Sequence, residues 1–504
     1  MKIYKRIFLF VIIIVLSLFL YRLYSYLSAP QMTLFSAMPH NAALVIKSEK
    51  TKYILDFNRE HKHFFSMLSI SQEKETNSLL NTVLSKDKYQ KILQNTTFYV
   101  SLHTKDESNE ELLFALETSR YYNKALLDFL DLIRSDFKEK TFSYKEKPIY
   151  ALQIDNKLLY MYHQNGLILM TYSETLIRHV INKVVAKNDA QKNLVNSFPT
   201  NRNENATMYL YVYYRYFIPY LKQKIRETGG DMLVTDMFAS FQYSIFDLSV
   251  NDRDVFLSGY TSVDTSLKGK SILFTHQNNE LDFFNLLPVN ANRIFSIKAN
   301  KTDDFMRIKP LIQSADDVFS WTYPSRIVTF EIENDTAIDK LLLIKSENIS
   351  ETSFHLYHSV LSSFADNHYI LDTTQVGSIM IGHIKMANFV FARLGISNHL
   401  RQLDYYAIID DCILFANKKE CLLNCIDALK NRRTLKTSTS CQSLDNYFPP
   451  KANLFYYYNF MDRTQSNIEN TCLQYYRNNI QLMRVQFHAQ SDTILFSNIV
   501  FRMQ

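Results

Sequence analysis

Over much of this chain apolar and polar residues alternate with a period of two in short runs, and isolated stretches of helical spacing interrupt them. Residues 98–102 and 112–117 read as strands joined by the polar turn 105–109, and 327–332 and 341–345 read the same way around 333–336. Each pair precedes an amphipathic helix, at 121–133 and 352–364. Phe57, Phe64, Phe65 and Leu68 fall at helical spacing after a strand at 43–47. Short polar turns between consecutive strands imply antiparallel pairing, and helices arrive singly between hairpins. The expected class is therefore α+β rather than doubly wound α/β.

The order of elements occurs twice. Pro39-His40-Asn41-Ala42, Ile46-Lys47 and Lys50-Thr51 return as Pro288-Val289-Asn290-Ala291, Ile297-Lys298 and Lys301-Thr302. The apolar run 166–170 precedes a helix with Leu176, Ile177, Val180 and Ile181, as 411–415 precedes Cys421, Leu422, Cys425 and Ile426. Ser173 and Asn417, within one residue, are the expected caps of these helices. The aromatic strand 206–214 matches 452–460, and each copy closes on two long strands, 241–250 with 255–263 and 482–489 with 494–501. This predicts two related domains, 38–266 and 267–504.

Ahead of the copies, residues 7–21 are apolar except Ser17, and Leu23, Tyr24, Tyr26 and Leu27 extend the segment. As a helix, 7–27 is about 31 Å long, which matches a bilayer core. Lys2, Lys5 and Arg6 precede it and only Arg22 interrupts its far end, so the N-terminus is expected in the cytoplasm. A cleaved signal peptide is the rival reading. It lacks a small-x-small site, because Ala29 and Ala37 have Leu27 and Phe35 two positions back. The expected layout is a cytoplasmic tail 1–6, a transmembrane helix 7–27 acting as signal anchor and a linker 28–37. That makes a single-pass inner-membrane protein with its bulk in the periplasm.

Charge and composition narrow the chemistry. Of a formal net charge of +6, Lys2, Lys5, Arg6 and Arg22 lie in the leading segment, which leaves no basic footprint for nucleic acid. Glycine occurs eight times in 504 residues, never as G-x-G, so dinucleotide and phosphate loops and the nucleophile elbow are absent. The five cysteines, 412, 421, 425, 441 and 472, all fall in the second copy. Cys412, Cys421 and Cys425 align with Leu167, Leu176 and Val180, which makes them core residues rather than metal ligands. His61 with His63, and His355 with His358, lack a ligand spacing backed by a carboxylate. Of the pairs Asp252/Asp254, Asp303/Asp304, Asp316/Asp317 and Asp410/Asp411, three sit where turns and helix starts are expected. No catalytic residue, metal ligand or cofactor is assigned. Tyr209, Tyr211 and Tyr213 share one strand face, as do Phe455 and Tyr457, and these five are the candidate ligand contacts. Cross-strand packing beneath a helix explains them as well and is the favoured reading.

A basic tail, one span, a Pro-x-Asn-Ala opening at Pro39–Ala42 and again at Pro288–Ala291, and a strand-rich duplicated region resemble a known group. It is the uncharacterised, membrane-anchored envelope proteins of Bacteroidetes, a domain of unknown function. The resemblance implies no activity, cofactor or site residues. The expectation is a non-catalytic envelope scaffold or binding module, tied to the membrane by 7–27 and holding an envelope protein partner. The alternative is a glycan or small-molecule binder with a cleft between the copies, and an extracytoplasmic hydrolase ranks last.

Overall fold

The computed structural model describes residues 16–20, 33–39, 41–60, 78–106, 109–118, 123–186, 206–227, 238, 240–251, 253–264, 279–298, 324–334, 337–354, 356–357, 372–383, 403, 405–460, 480–491 and 493–503. The chain divides into two units, Met1–Thr200 and Asn201–Gln504.

In the first unit the strands are β1 (Ala42–Ser48), β2 (Thr97–Asp106), β3 (Asn109–Glu117), β4 (Glu139–Tyr144), β5 (Lys147–Ile154), β6 (Lys157–Gln164) and β7 (Leu167–Thr171). They pair antiparallel in the order β1-β2-β3-β7-β6-β5-β4. Two-residue turns fold β4 onto β5, β5 onto β6 and β6 onto β7. Lys145, Glu146, Asp155, Asn165 and Gly166 take positive φ there, the geometry that matches the twist of flanking strands. The helices are α1 (Leu34–Ala37), α2 (Thr51–Glu60), α3 (Asp87–Leu93), α4 (Asn123–Asp136) and α5 (Glu174–Ala186). Leu126, Phe129, Leu130 and Ile133 form the buried stripe of α4 at the i, i+3, i+4, i+7 spacing of an amphipathic helix. Helix α5 lies on β6 and β7, with Leu176, Ile177, Val180 and Ile181 fully buried. Ser173 caps it, its Oγ accepting from the Leu176 N–H at 3.1 Å.

The second unit contains β8 (Met208–Tyr213), β9 (Phe241–Asn251), β10 (Asp254–Val263), β11 (Asn279–Glu280), β12 (Ala291–Lys298), β13 (Pro324–Asn334), β14 (Ala337–Ser346), β15 (Asp372–Val376), β16 (Ile379–His383), β17 (Tyr405–Ile409), β18 (Cys412–Ala416), β19 (Lys451–Ala452), β20 (Leu454–Asn459), β21 (Ile480–Ala489) and β22 (Ile494–Met503). Its sheet runs β8-β9-β10-β22-β21-β20-β12-β13-β14-β18-β17-β16-β15, with every pair antiparallel. Strands β11 and β19 pair separately. Helices α6 (Tyr214–Glu227) and α7 (Lys419–Lys430) accompany it. Asn417 does not cap α7; Lys418 holds that position, and the Asn417 amide donates to Asp339 instead.

The order β12-β13-β14-β18-β17-β16-β15 repeats the order of the first unit's sheet strand for strand. Both β1 and β12 carry a register shift at the same step, between Ala42 and Leu44 and between Ala291 and Arg293. Counted from that shift, Ile46 faces Val100 and Phe295 faces Thr329, so Ile297-Lys298 stands two residues out of step with Ile46-Lys47. Strands β8 to β10 group with the second unit because β10 is zipped to β22 from Asp254–Arg502 to Ser262–Ile494.

Two expectations are corrected. The class is mostly antiparallel sheet rather than α+β with single helices between hairpins, since hairpin strands join edge to edge while most helices span only a few turns. Among the described residues no helix is long and apolar enough to cross a membrane. Of the expected span 7–27, residues 16–20 are helical and exposed, and the others lie outside the described residues. The transmembrane helix, the signal-anchor role and the single-pass inner-membrane placement with periplasmic bulk are therefore not supported.

Candidate functional site

Alternation along β2 puts Ser101 and His103 on one face, and the shift in β1 sets Asn41 beside them. The Asn41 amide donates to the Thr104 carbonyl at 3.0 Å, which turns its Oδ1 toward His103 Nδ1 at 3.2 Å. Nδ1 therefore carries the ring hydrogen and Nε2 accepts from the Ser101 hydroxyl at 2.9 Å. The competing acceptor, the Leu113 carbonyl, is farther away at 3.3 Å. Nucleophile, base and orienting amide thus stand in a line, the order used in acyl transfer.

Electrostatics and access work against that use. Burial holds the His103 imidazole down at about 3, and His179 and Lys183 of α5 push in the same direction. Accepting a proton at neutral pH then costs roughly 5 kcal/mol more than for a free imidazole. Ser101 and His103 are both fully enclosed. The second copy fills the matching register positions with Phe330 and Ile332. The line is a satisfied polar seam that pins β1 to β2, not an open reaction centre.

No known family pattern matches the chain. No curated protein matches it either. One solved structure, crystal form I of TP0453, is similar over 46% of this chain and 80% of that chain, at 9% identity and a TM-score of 0.25.

The predicted ligand face is closed. Tyr209, Tyr211 and Tyr213 are buried with the rest of β8, and Phe455 and Tyr457 are buried in β20. Strands β9, β10, β22 and β21 separate the two sets. Phe455 is packed edge-on to Phe283 and Phe284, with centroids at 5.7 and 5.1 Å. These rings are packing groups. Cys412, Cys421, Cys425 and Cys441 are free and buried. Burial pushes the thiols of Cys421 and Cys425 up to about 12 and that of Cys441 up to about 11, which removes thiolate chemistry near neutral pH. Cys472, His61, His63, His355, His358, Asp252, Asp303, Asp304, Asp316 and Asp317 lie outside the described residues. Among the described residues no metal-holding cluster forms. Asp254 is clamped by both arms of Arg502 at 2.8 Å each, Asp410 is a positive-φ turn residue, and Asp411 pairs with Lys345 at 3.2 Å.

Two buried cations escaped the sequence reading. Arg484 donates to Asp445 at 2.7 Å and stacks over Phe448 at 4.5 Å and Phe455 at 5.4 Å. Arg326 donates to Ser296 Oγ and to the Ala452 carbonyl, each at 2.9 Å, and burial draws its guanidinium down to about 10. A signal was present only for Arg484, which interrupts the apolar run of its strand, whereas Arg326 follows Pro324-Ser325 at the start of its own. What they bond to lies far along the chain.

Proposed function

We propose that this chain is a non-catalytic scaffold or binding module that holds a protein partner. The observation that carries the reading is the pair of open sheet ends. Strand β4 pairs only with β5, and β15 only with β16, among the described residues. Free strand edges present unpaired N–H and C=O groups to another chain. Support also comes from the closed state of the Ser101–His103–Asn41 line, which leaves no accessible nucleophile there. The glycan-binding alternative loses its contacts, because Tyr209, Tyr211, Tyr213, Phe455 and Tyr457 are enclosed.

Lysine-directed crosslinking of the full chain in its own cells, followed by mass spectrometry, tests this. The expected result joins a recurrent partner to residues of the β4 or β15 edge. Failure to recover any partner, or labelling of Ser101 by a fluorophosphonate, refutes it.

A further inference from the structure

The β4 edge can be read atom by atom. Tyr144 and Lys147 close a two-residue turn, so they form a hydrogen-bonded pair, and the pattern alternates from there along β4. Phe142 and Lys140 consequently aim their backbone groups at β5. Ser143, Thr141 and Glu139 aim theirs outward. Pro148 faces Ser143 across the hairpin, beyond the reach of β6, whose pairing with β5 starts at Tyr150–Met161. Its missing donor is therefore not needed.

The side chains around this edge are uneven in charge. Glu139 is already held by Arg134 of α4 at 2.7 and 3.1 Å, and Glu174 by Arg178 of α5. Tyr144 donates to Asn182 at 3.2 Å beneath the Arg178 guanidinium, 5.0 Å away, and Phe142 meets Tyr160 edge-on. That half-buried aromatic shelf flanks the open backbone on one face, and exposed Thr141 and Ser143 flank it on the other. Lys138, Lys140 and Lys145 are exposed along the same edge, with Glu146 as the one exposed acid at its turn.

We infer that the outer edge of β4 receives an extended acidic segment of a protein partner, added to the first unit's sheet as a further strand. This rests on the binding-module reading and names its site and partner chemistry. A second copy of the chain is the poorer occupant, because pairing two β4 edges brings both sets of lysines onto one seam. An acidic strand sets its carboxylates on the face that Lys138 and Lys140 share with the rim of the Phe142–Tyr144 shelf, and its alternate side chains lie over Thr141 and Ser143 on the other face.

The test is an array of ten-residue peptides in which Val, Ile, Thr and Tyr alternate with Glu, or with Lys in a matched control set, probed with the full chain. The wild type is expected to bind Glu peptides and not Lys peptides. Thr141→Pro removes an outward donor without touching the β4–β5 ladder, and should weaken binding about tenfold or more at an unchanged melting temperature. K138E/K140E/K145E should reverse the preference, which keeps the test decisive if the proline variant misfolds. Glu-peptide binding that survives Thr141→Pro at full strength overturns this edge while leaving the module reading intact. Binding to neither set overturns the acidic-strand assignment. A dimer that Thr141→Pro dissolves would make a second copy the occupant and overturn it as well.

Discussion

Replacing His103 by Ile, the residue at the matching position of the second copy, should change how the first unit's stability depends on pH. Burial favours the neutral imidazole, so the folded ring titrates at about 3 while the unfolded one titrates near its ordinary value of 6.5. Between those values the unfolded chain binds the extra proton. The wild type therefore keeps its full stability above about pH 6.5 and loses it as pH falls toward about 3. Linkage gives a loss of roughly 2 kcal/mol from pH 7 to pH 5 from this group alone. Histidines elsewhere, such as His163 and His488, are common to both chains and cancel in the comparison. The Ile variant lacks the titration but leaves Asn41 Oδ1 without its donor and the Ser101 hydroxyl with only the longer bond to the Leu113 carbonyl, at about 2 kcal/mol that does not vary with pH in this range. The two stability curves should start apart at pH 7 and meet near pH 5. Urea unfolding at each pH, read by pulse-labelled hydrogen exchange in β2 peptides, isolates the first unit from the second. Parallel curves would show that the imidazole is hydrated and that the seam is open to water.

Two further outcomes are expected in the second unit. Arg502→Met leaves the Asp254 carboxylate buried without a counterion and should cost about 3 kcal/mol in denaturant titration, while D254N/R502M should recover much of that loss. Gly259→Ala places a Cβ 1.9 Å from the Ile245 carbonyl oxygen, so β9 and β10 must part. A loss of about 3 kcal/mol or more should appear as a lowered unfolding midpoint, and an unchanged midpoint would mean the strands are not in this register.

Local pattern was enough for elements that depend on neighbours in sequence. The α5 stripe of Leu176, Ile177, Val180 and Ile181 and its Ser173 cap stand where periodicity puts them, because helical spacing and capping act within one turn or two. Cys421 and Cys425 are buried, as the apolar residues at the aligned positions of the first copy imply. The tyrosine strand was harder. Its alternation describes two faces but not what covers them, and the structure covers both. The Ser101–His103–Asn41 line was out of reach, since Asn41 lies 62 residues before His103 and meets it only through the β1 register shift. Apolar length at 7–27 suggested a membrane crossing, whereas among the described residues no helix is long and apolar enough for one.

The zipper between β10 and β22 has a consequence for synthesis. Asp254 and Arg502 are 248 residues apart in sequence, so β10 emerges from the ribosome long before the strand that shields its outer side. During that interval a nascent chain carries a long bare ladder, the kind of surface that invites mispairing. Chaperone occupancy on translating ribosomes should peak in that window and fall once the final strand docks.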